Sequence, residues 1–285
     1  MHDDVKYLIK EDEVDAYIDS LRKKRGLEIA LDIEGEFNLH RYGEHLSLIQ
    51  IFDGTGTVVI DPLEVEQSSF APVFEEPEIK KVIYDCSSDR TLLFRRYGIT
   101  LKGVIDLLPA VELLQLQKRG LNNVLAQILG IELSQSKAYQ RYDWMRRPLS
   151  KDALEYAVGD VHYLLPLKER LFEMVKEEGR FEEYQRINRE LEQRPVKTEF
   201  VPGLFKKNRF KRMPGKQQEM MKKLFTIRDG YAREADLPPD RVISNETLFR
   251  LVVKPKEGRS CSINPRLSKE SRERLREAFI AVLEK

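Results

Sequence analysis

The chain is poor in the residues that build thiolate or imidazole chemistry. Among its 285 residues are two cysteines, Cys86 and Cys261, and four histidines. Two cysteines exclude a disulfide framework and a thiolate zinc cluster, so free thiols in a reducing compartment are expected. No histidines show the HExxH or comparable spacing of a zinc enzyme. No apolar run approaches the roughly 18 residues that a membrane span needs. The acidic start and the AVLEK end carry no secretory or lipidation signal, and there is no internal repeat or low-complexity tract. The expectation is a cytoplasmic protein with no membrane association and no evident obligate protein partner.

Hydrophobic residues make up 41% and charged residues 34%, an ordinary globular balance that excludes a largely disordered chain. The net charge of +1 conceals a division. Residues 1–193 carry 26 Lys and Arg against 36 Asp and Glu, a balance of −10, whereas residues 194–285 carry 23 against 12, a balance of +11. An acidic part can hold cations and a basic part a polyanion. Two solvated surfaces of opposite sign are the plainer reading of the same numbers.

Hydrophobic spacing predicts a helix over 11–24, with Val14, Tyr17, Ile18 and Leu21 on one face. The period then changes to that of strands: 28–34, 46–52, 57–60, 81–84 and a short one at 104–106, with the DGTG of 53–56 turning between the second and third. Ser87 or Ser88 can cap a helix running to Tyr97. From 107 to 189 the pattern is helical, and a helix starting at Ser150 passes through Tyr156 and Asp160 and is ended or kinked by Pro166. Strands followed by helices imply an α/β domain over residues 1–193, a mixed sheet flanked by helices. Residues 194–216 hold eight Lys or Arg, one Glu, three Pro and two Gly, with Phe200, Phe205 and Phe210 interspersed, and read as an exposed basic linker. Residues 217–285 then form a small all-α bundle.

Five residues stand out against this framework. Asp32 and Glu34 lie two apart in an apolar strand and so project from one face. Buried like charges side by side call for a cation, unless the strand edge leaves them solvated. Tyr156 and Asp160, four apart on a largely apolar helix, share a face, although a tyrosine there can equally be core. Asp89 falls in the first turn of the helix after the fourth strand, where the macrodipole alone would favour it, and Asp85 competes for the same role.

In this order the pieces resemble the DEDD superfamily of 3′–5′ exonucleases, and the tyrosine four places before the last Asp fits its DEDDy branch. The stretches LDIEGEFNLHRYGEHLSLIQIFDG, VIDPL and DWMRRPLSKDALEYAVGDVHYLLPL are similar to ribonuclease D over residues 25–170. The resemblance implies a ribonuclease H-like fold and a metal site of Asp32, Glu34, Asp89 and Asp160. It implies that Tyr156 orients the attacking water and that Asp32 bridges two divalent cations, Mg²⁺ or Mn²⁺. Ile33 stands where Thr is frequent, and Tyr84 and Cys86 stand where His and Gly are common. Two such ions about 4 Å apart suit phosphodiester hydrolysis, since they generate a nucleophile near neutral pH and stabilise the leaving oxygen.

Residues 224–252, with Phe225 and LPPDRVISNETL, resemble the HRDC domain that follows the nuclease domain of ribonuclease D, implying nucleic-acid binding. The basic linker could neutralise phosphates and its phenylalanines could stack on bases, or Phe205 and Phe210 could pack on the nuclease domain. The expected activity is removal of nucleoside 5′-monophosphates from RNA 3′ ends, single-stranded or tRNA-like. A catalytically silent nucleic-acid binder and a DNA-directed exonuclease are the alternatives.

Overall fold

The computed structural model describes residues 5–24, 26–133, 139–196 and 201–284. The chain forms two compact units, the first of Met1–Gly35 and His45–Thr198, the second of Glu36–Glu44 and Glu199–Lys285.

The first unit opens with β1 (Val5–Leu8) and α1 (Glu11–Arg22). Then come β2 (Glu28–Phe37), β3 (Glu44–Phe52), β4 (Thr57–Ile60), α2 (Gln67–Glu75), β5 (Lys80–Ile83), α3 (Ser87–Tyr97) and β6 (Val104–Asp106). Five helices complete it: α4 (Leu108–Leu113), α5 (Leu121–Leu129), α6 (Lys151–His162), α7 (Leu164–Glu177) and α8 (Phe181–Gln193). The six strands form one sheet in the order β1-β4-β3-β2-β5-β6. β1 runs parallel to β4, β3 antiparallel to β4, and β2, β5 and β6 are parallel neighbours. The expected mixed sheet with flanking helices is therefore present, with one strand more than the sequence pattern revealed: VKYL at 5–8 is too short to show a period, and its partner lies 52 residues downstream, Val5 against Thr57.

Alternation along β2 sorts the two faces of the sheet. Ile29 and Leu31 pack with Val14, Ile18 and Leu21 of α1 in one core layer. Ala30, on the opposite face, packs with Leu164, Leu167 and Leu171 of α7. Asp32 and Glu34 continue the Ala30 face, so the strand that fills the core also carries its carboxylates toward the helices on that side.

Local chemistry fixes the helix starts. Ser150 caps α6 by accepting Ala153 N–H at 3.2 Å. The expected single helix from Ser150 instead divides at Tyr163, with α6 ending at His162 and α7 beginning at Leu164. Pro166 then sits in the first turn of α7, where no backbone N–H is needed. Neither Ser87 nor Ser88 caps α3; its N-cap is Cys86, without a side-chain cap bond. The turn at 53–56 is built as expected, with Asp53 accepting Thr55 N–H and Gly56 N–H at 3.0 Å each and Gly54 in the left-handed region.

In the second unit, the elements described after residue 200 are helices: α9 (Gly203–Lys206), α10 (Asn208–Lys211), α11 (Gly215–Glu234), α12 (Pro239–Val242), α13 (Asn245–Val253) and α14 (Lys269–Leu283). Two readings are corrected here. The expected exposed linker over 194–216 is in part folded: it contains α9 and α10, and Leu204 and Phe210 are buried in the core of the second unit with Leu224 and Leu248. Phe205 packs on Phe210 at 4.8 Å and on Phe225 at 4.9 Å, and Phe200 lies outside the described residues. Burial of these rings outweighs their basic surroundings, because long Lys and Arg side chains keep their charges in water while the rings turn inward.

The second correction concerns residues 36–44, which belong to the second unit and not to the 1–193 domain. Tyr42 explains the grouping. Its hydroxyl donates to Asp229 on α11 at 2.7 Å, its backbone N–H to Asp236 at 3.2 Å, and Arg233 lies over its ring at 5.5 Å. Arg228, buried on α11, donates to the carbonyl of Ile243 at 2.7 Å and to Asn245 at 3.0 Å, tying α11 to the α12–α13 turn. Among the described residues, no helix is long and apolar enough to cross a membrane.

Candidate active site

Asp32, Glu34 and Asp160 meet. One carboxylate oxygen from each lies within 4.8 Å of the others. The first two come from β2, where a spacing of two puts them on one face, and Asp160 comes from the last turns of α6. Asp89 joins them from the first turn of α3, the helix that follows β5, the parallel neighbour of β2. Glu34 feels the charges of Asp32, Asp160 and Asp89, and Asp89 feels that of Asp32.

Burial is the first cause of the unusual proton affinity of this cluster and mutual repulsion the second. Burial raises the Asp32 carboxyl to about 6, and burial with the charge of Asp32 raises Asp160 to about 7. Glu34 and Asp89 are pushed well above the carboxylate range by burial and by their neighbours. Among the described residues no cation pairs with any of the four. An oxygen-only set of unpaired, mutually repelling carboxylates fits a hard divalent cation and not a thiophilic one.

Tyr156 lies one turn before Asp160 on α6. Burial, then the charges of Asp160, Glu34 and Asp32, push its phenol far above the usual tyrosine range. In the metal-free site it holds its proton, so its hydroxyl can donate to a hydrogen-bond partner. Its ring stacks on Tyr139 at 4.9 Å, with interplanar angle 27°, and faces Trp144 at 6.2 Å, while Tyr142 meets Trp144 edge-on at 5.0 Å. Trp144 is buried with Leu48, Val59, Ala153 and Val158.

Of the five residues singled out in the sequence, Asp32, Glu34 and Asp160 form the cluster, and Asp89 and Tyr156 lie near enough to feel its charges. Asp85, the competitor of Asp89, is exposed at the strand end with φ of 58°. One supporting residue escaped the sequence reading. Asp106, buried at the end of β6, accepts Asp85 N–H at 2.9 Å, Cys86 N–H at 3.0 Å and Leu108 N–H at 2.9 Å. It holds the turn just before α3, and with it the start of the helix that carries Asp89. The signal was a strand ending in Asp directly before a helix, legible only once β5 and β6 are known to be neighbours.

The surroundings of this site match known proteins. Residues 5–176 match the 3′–5′ exonuclease family. The chain is 35% identical to ribonuclease D of Haemophilus influenzae over 141 residues, which are 49% of this chain and 35% of that protein. The catalytic core of RRP6 from Trypanosoma brucei superposes with a TM-score of 0.81 at 22% identity, covering 98% of this chain and 79% of that one. Escherichia coli RNase D, described as an exoribonuclease involved in structured RNA processing, gives 0.72 at 24%, covering 98% and 74%. The chain spans less than two thirds of the length of the curated relatives it matches. The sheet and its flanking helices have the ribonuclease H-like fold of these nucleases. Since the match takes in more than half of its residues, the chain belongs to the 3′–5′ exonuclease family.

Proposed function

We propose that this protein is a divalent-metal-dependent 3′–5′ exoribonuclease that removes nucleoside 5′-monophosphates from RNA 3′ ends. The observation that carries the reading is the convergence of Asp32, Glu34, Asp89 and Asp160, from three separate elements, beside the protonated Tyr156. The ribonuclease D and RRP6 likenesses support RNA as the substrate. A polyanion would not be drawn to four bare carboxylates, so the site makes sense for RNA only when cations are held there.

Asp32, Glu34, Asp89 and Asp160 would hold the divalent ions, Mg²⁺ or Mn²⁺, through their carboxylate oxygens. When bound, such a pair supplies a nucleophile near neutral pH and charge stabilisation at the leaving oxygen. Tyr156 orients the attacking water through its hydroxyl. The aromatic side chains around it, Tyr139, Tyr142 and Trp144, keep that hydroxyl in one place.

The second unit is read as an HRDC-like bundle that holds single-stranded or tRNA-like RNA through its phosphates. Lys206, Lys207, Lys211, Arg212, Lys222 and Lys223 are exposed on it, and residues 194–285 carry the +11 charge balance. The activity test is a 5′-labelled single-stranded RNA, a 3′-tailed tRNA and a DNA oligonucleotide, each with Mg²⁺, Mn²⁺ or chelator. The expected result is a ladder shortening from the 3′ end of RNA, dependent on metal and lost in Asp32→Asn with RNA binding retained. Hydrolysis by Asp32→Asn, or shortening from the 5′ end, would overturn the reading.

A further inference from the structure

Arg147 uses every donor of its guanidinium. Nε and Nη2 form a two-pronged pair with the buried carboxylate of Asp61, the latter at 2.8 Å. Nη2 also donates to the carbonyl of Ser47 on β3 at 2.6 Å, and Nη1 to the carbonyls of Trp144 at 2.7 Å and Arg146 at 2.9 Å. Asp61 is itself fixed to the sheet: it receives the Tyr7 hydroxyl from β1 and Leu63 N–H at 3.1 Å. The segment before α6 is thereby clamped to β3 directly and, through Asp61 just past β4, to β1.

A buried ion pair contributes little net stability over apolar packing, although breaking one is costly, so its distinctive effect is positional. What it does is hold the backbone of Trp144. Trp144 and Tyr139, on this same segment, contact Tyr156. We infer that Arg147, held by Asp61 and Tyr7, is a positioning residue that sets the placement of the Tyr156 hydroxyl through the Trp144 segment. The inference rests on the proposed role of Tyr156 in hydrolysis. Planar bidentate geometry explains why arginine is required: lysine keeps the charge but cannot reach the carboxylate and three carbonyls at once.

The test uses Arg147→Lys, Tyr156→Phe and their double variant in the full chain, on a short single-stranded RNA with Mn²⁺. Arg147→Lys is expected to lower kcat at least tenfold, with KM changed less than threefold and the Mn²⁺ dissociation constant within twofold of the parent. In the Tyr156→Phe background the same change should cost less than twofold, because both act on one hydroxyl. Tyr7→Phe, which removes a single bond to Asp61, should lower kcat about threefold. An equal proportional loss with and without the Tyr156 hydroxyl would overturn the inference, as would parental kcat in Arg147→Lys. Trp144 is the sole tryptophan, so its emission reads the clamp without any turnover. Arg147→Lys should make Trp144 more accessible to acrylamide at temperatures well below its melting transition, where the variant is folded. Unchanged quenching overturns the clamp, whereas an inactive parent with the expected quenching change overturns only the exonuclease reading.

Discussion

Asp106 receives the backbone N–H of Cys86 at 3.0 Å and holds the turn from which Asp89 enters the carboxylate cluster. A buried carboxylate in β6 therefore governs a residue on α3 that it does not touch through its side chain. Tyr184 and Asn188 of α8 secure the same strand end, the first donating to the Asp106 carbonyl at 2.9 Å and the second accepting Asp106 N–H at 2.7 Å.

Asp106→Ala should leave three backbone donors without an acceptor. At about 1 kcal/mol for each buried donor, and little for Asp85 whose N–H can turn to water, the loss is roughly 2 kcal/mol. Urea unfolding should show it as a lower midpoint, and Mn²⁺ titration of the folded variant should show weaker binding because Asp89 is no longer held.

Tyr156→Phe should keep the fold and the affinity for divalent cations while lowering kcat on RNA by roughly 10²-fold, the scale of losing one orienting contact. The loss should be of similar size across the pH range, as expected of a hydroxyl that orients water and does not titrate. Single-turnover rates from pH 6 to 9 check this.

Metal-free protein should lose stability as pH rises. Asp32 and Asp160 bind their protons up to about 6 and 7 in the folded chain, whereas unfolded carboxyls release theirs near 4. Between these values the folded state holds more protons, so stability is greatest below about pH 4 to 5 for these groups and declines toward pH 7. Lys81, buried and lowered to about 7, has the opposite sign but acts above pH 7, where its unfolded form keeps the proton. Melting temperatures in chelator should fall from pH 5 to 7, and Mn²⁺ at a hundredfold excess over its dissociation constant should restore about 2.7 kcal/mol at pH 7.

Phe210→Ala should destabilise the second unit by about 3 kcal/mol, the cost of emptying a packed aromatic site. Hydrogen exchange should report faster opening of α11 and α14 with the sheet amides unchanged. Were residues 194–216 a solvated linker, the substitution would change nothing.

The chemistry of the site was legible in the sequence because it depends on local geometry. A spacing of two on a strand and of four on a helix fixes which side chains point together, and this paired Asp32 with Glu34 and Tyr156 with Asp160 before any tertiary contact was known. Asp89 was singled out by the order of the motifs in the exonuclease resemblance, since its place in a first helical turn has the macrodipole as a sufficient explanation. The supporting residues were not legible for the converse reason. Asp106 acts on Cys86 across a parallel strand pair, and Arg147 reaches Asp61 across 86 residues, contacts that no periodicity records. The same limit hid β1. The helices at 203–211 were obscured by composition: eight cations over 194–216 outweighed the apolar Leu204 and Phe210, although those two were the sign of a buried face.

The second unit draws on two stretches of chain, 36–44 and 199–285, separated by about 150 residues. During synthesis the earlier stretch leaves the ribosome long before its partner exists, so Tyr42 must wait for α11 with its ring uncovered. At 5–20 residues per second that interval lasts roughly ten to thirty seconds, a period in which a chaperone or a protease meets the hairpin tip before its own carboxyl-terminal helices do.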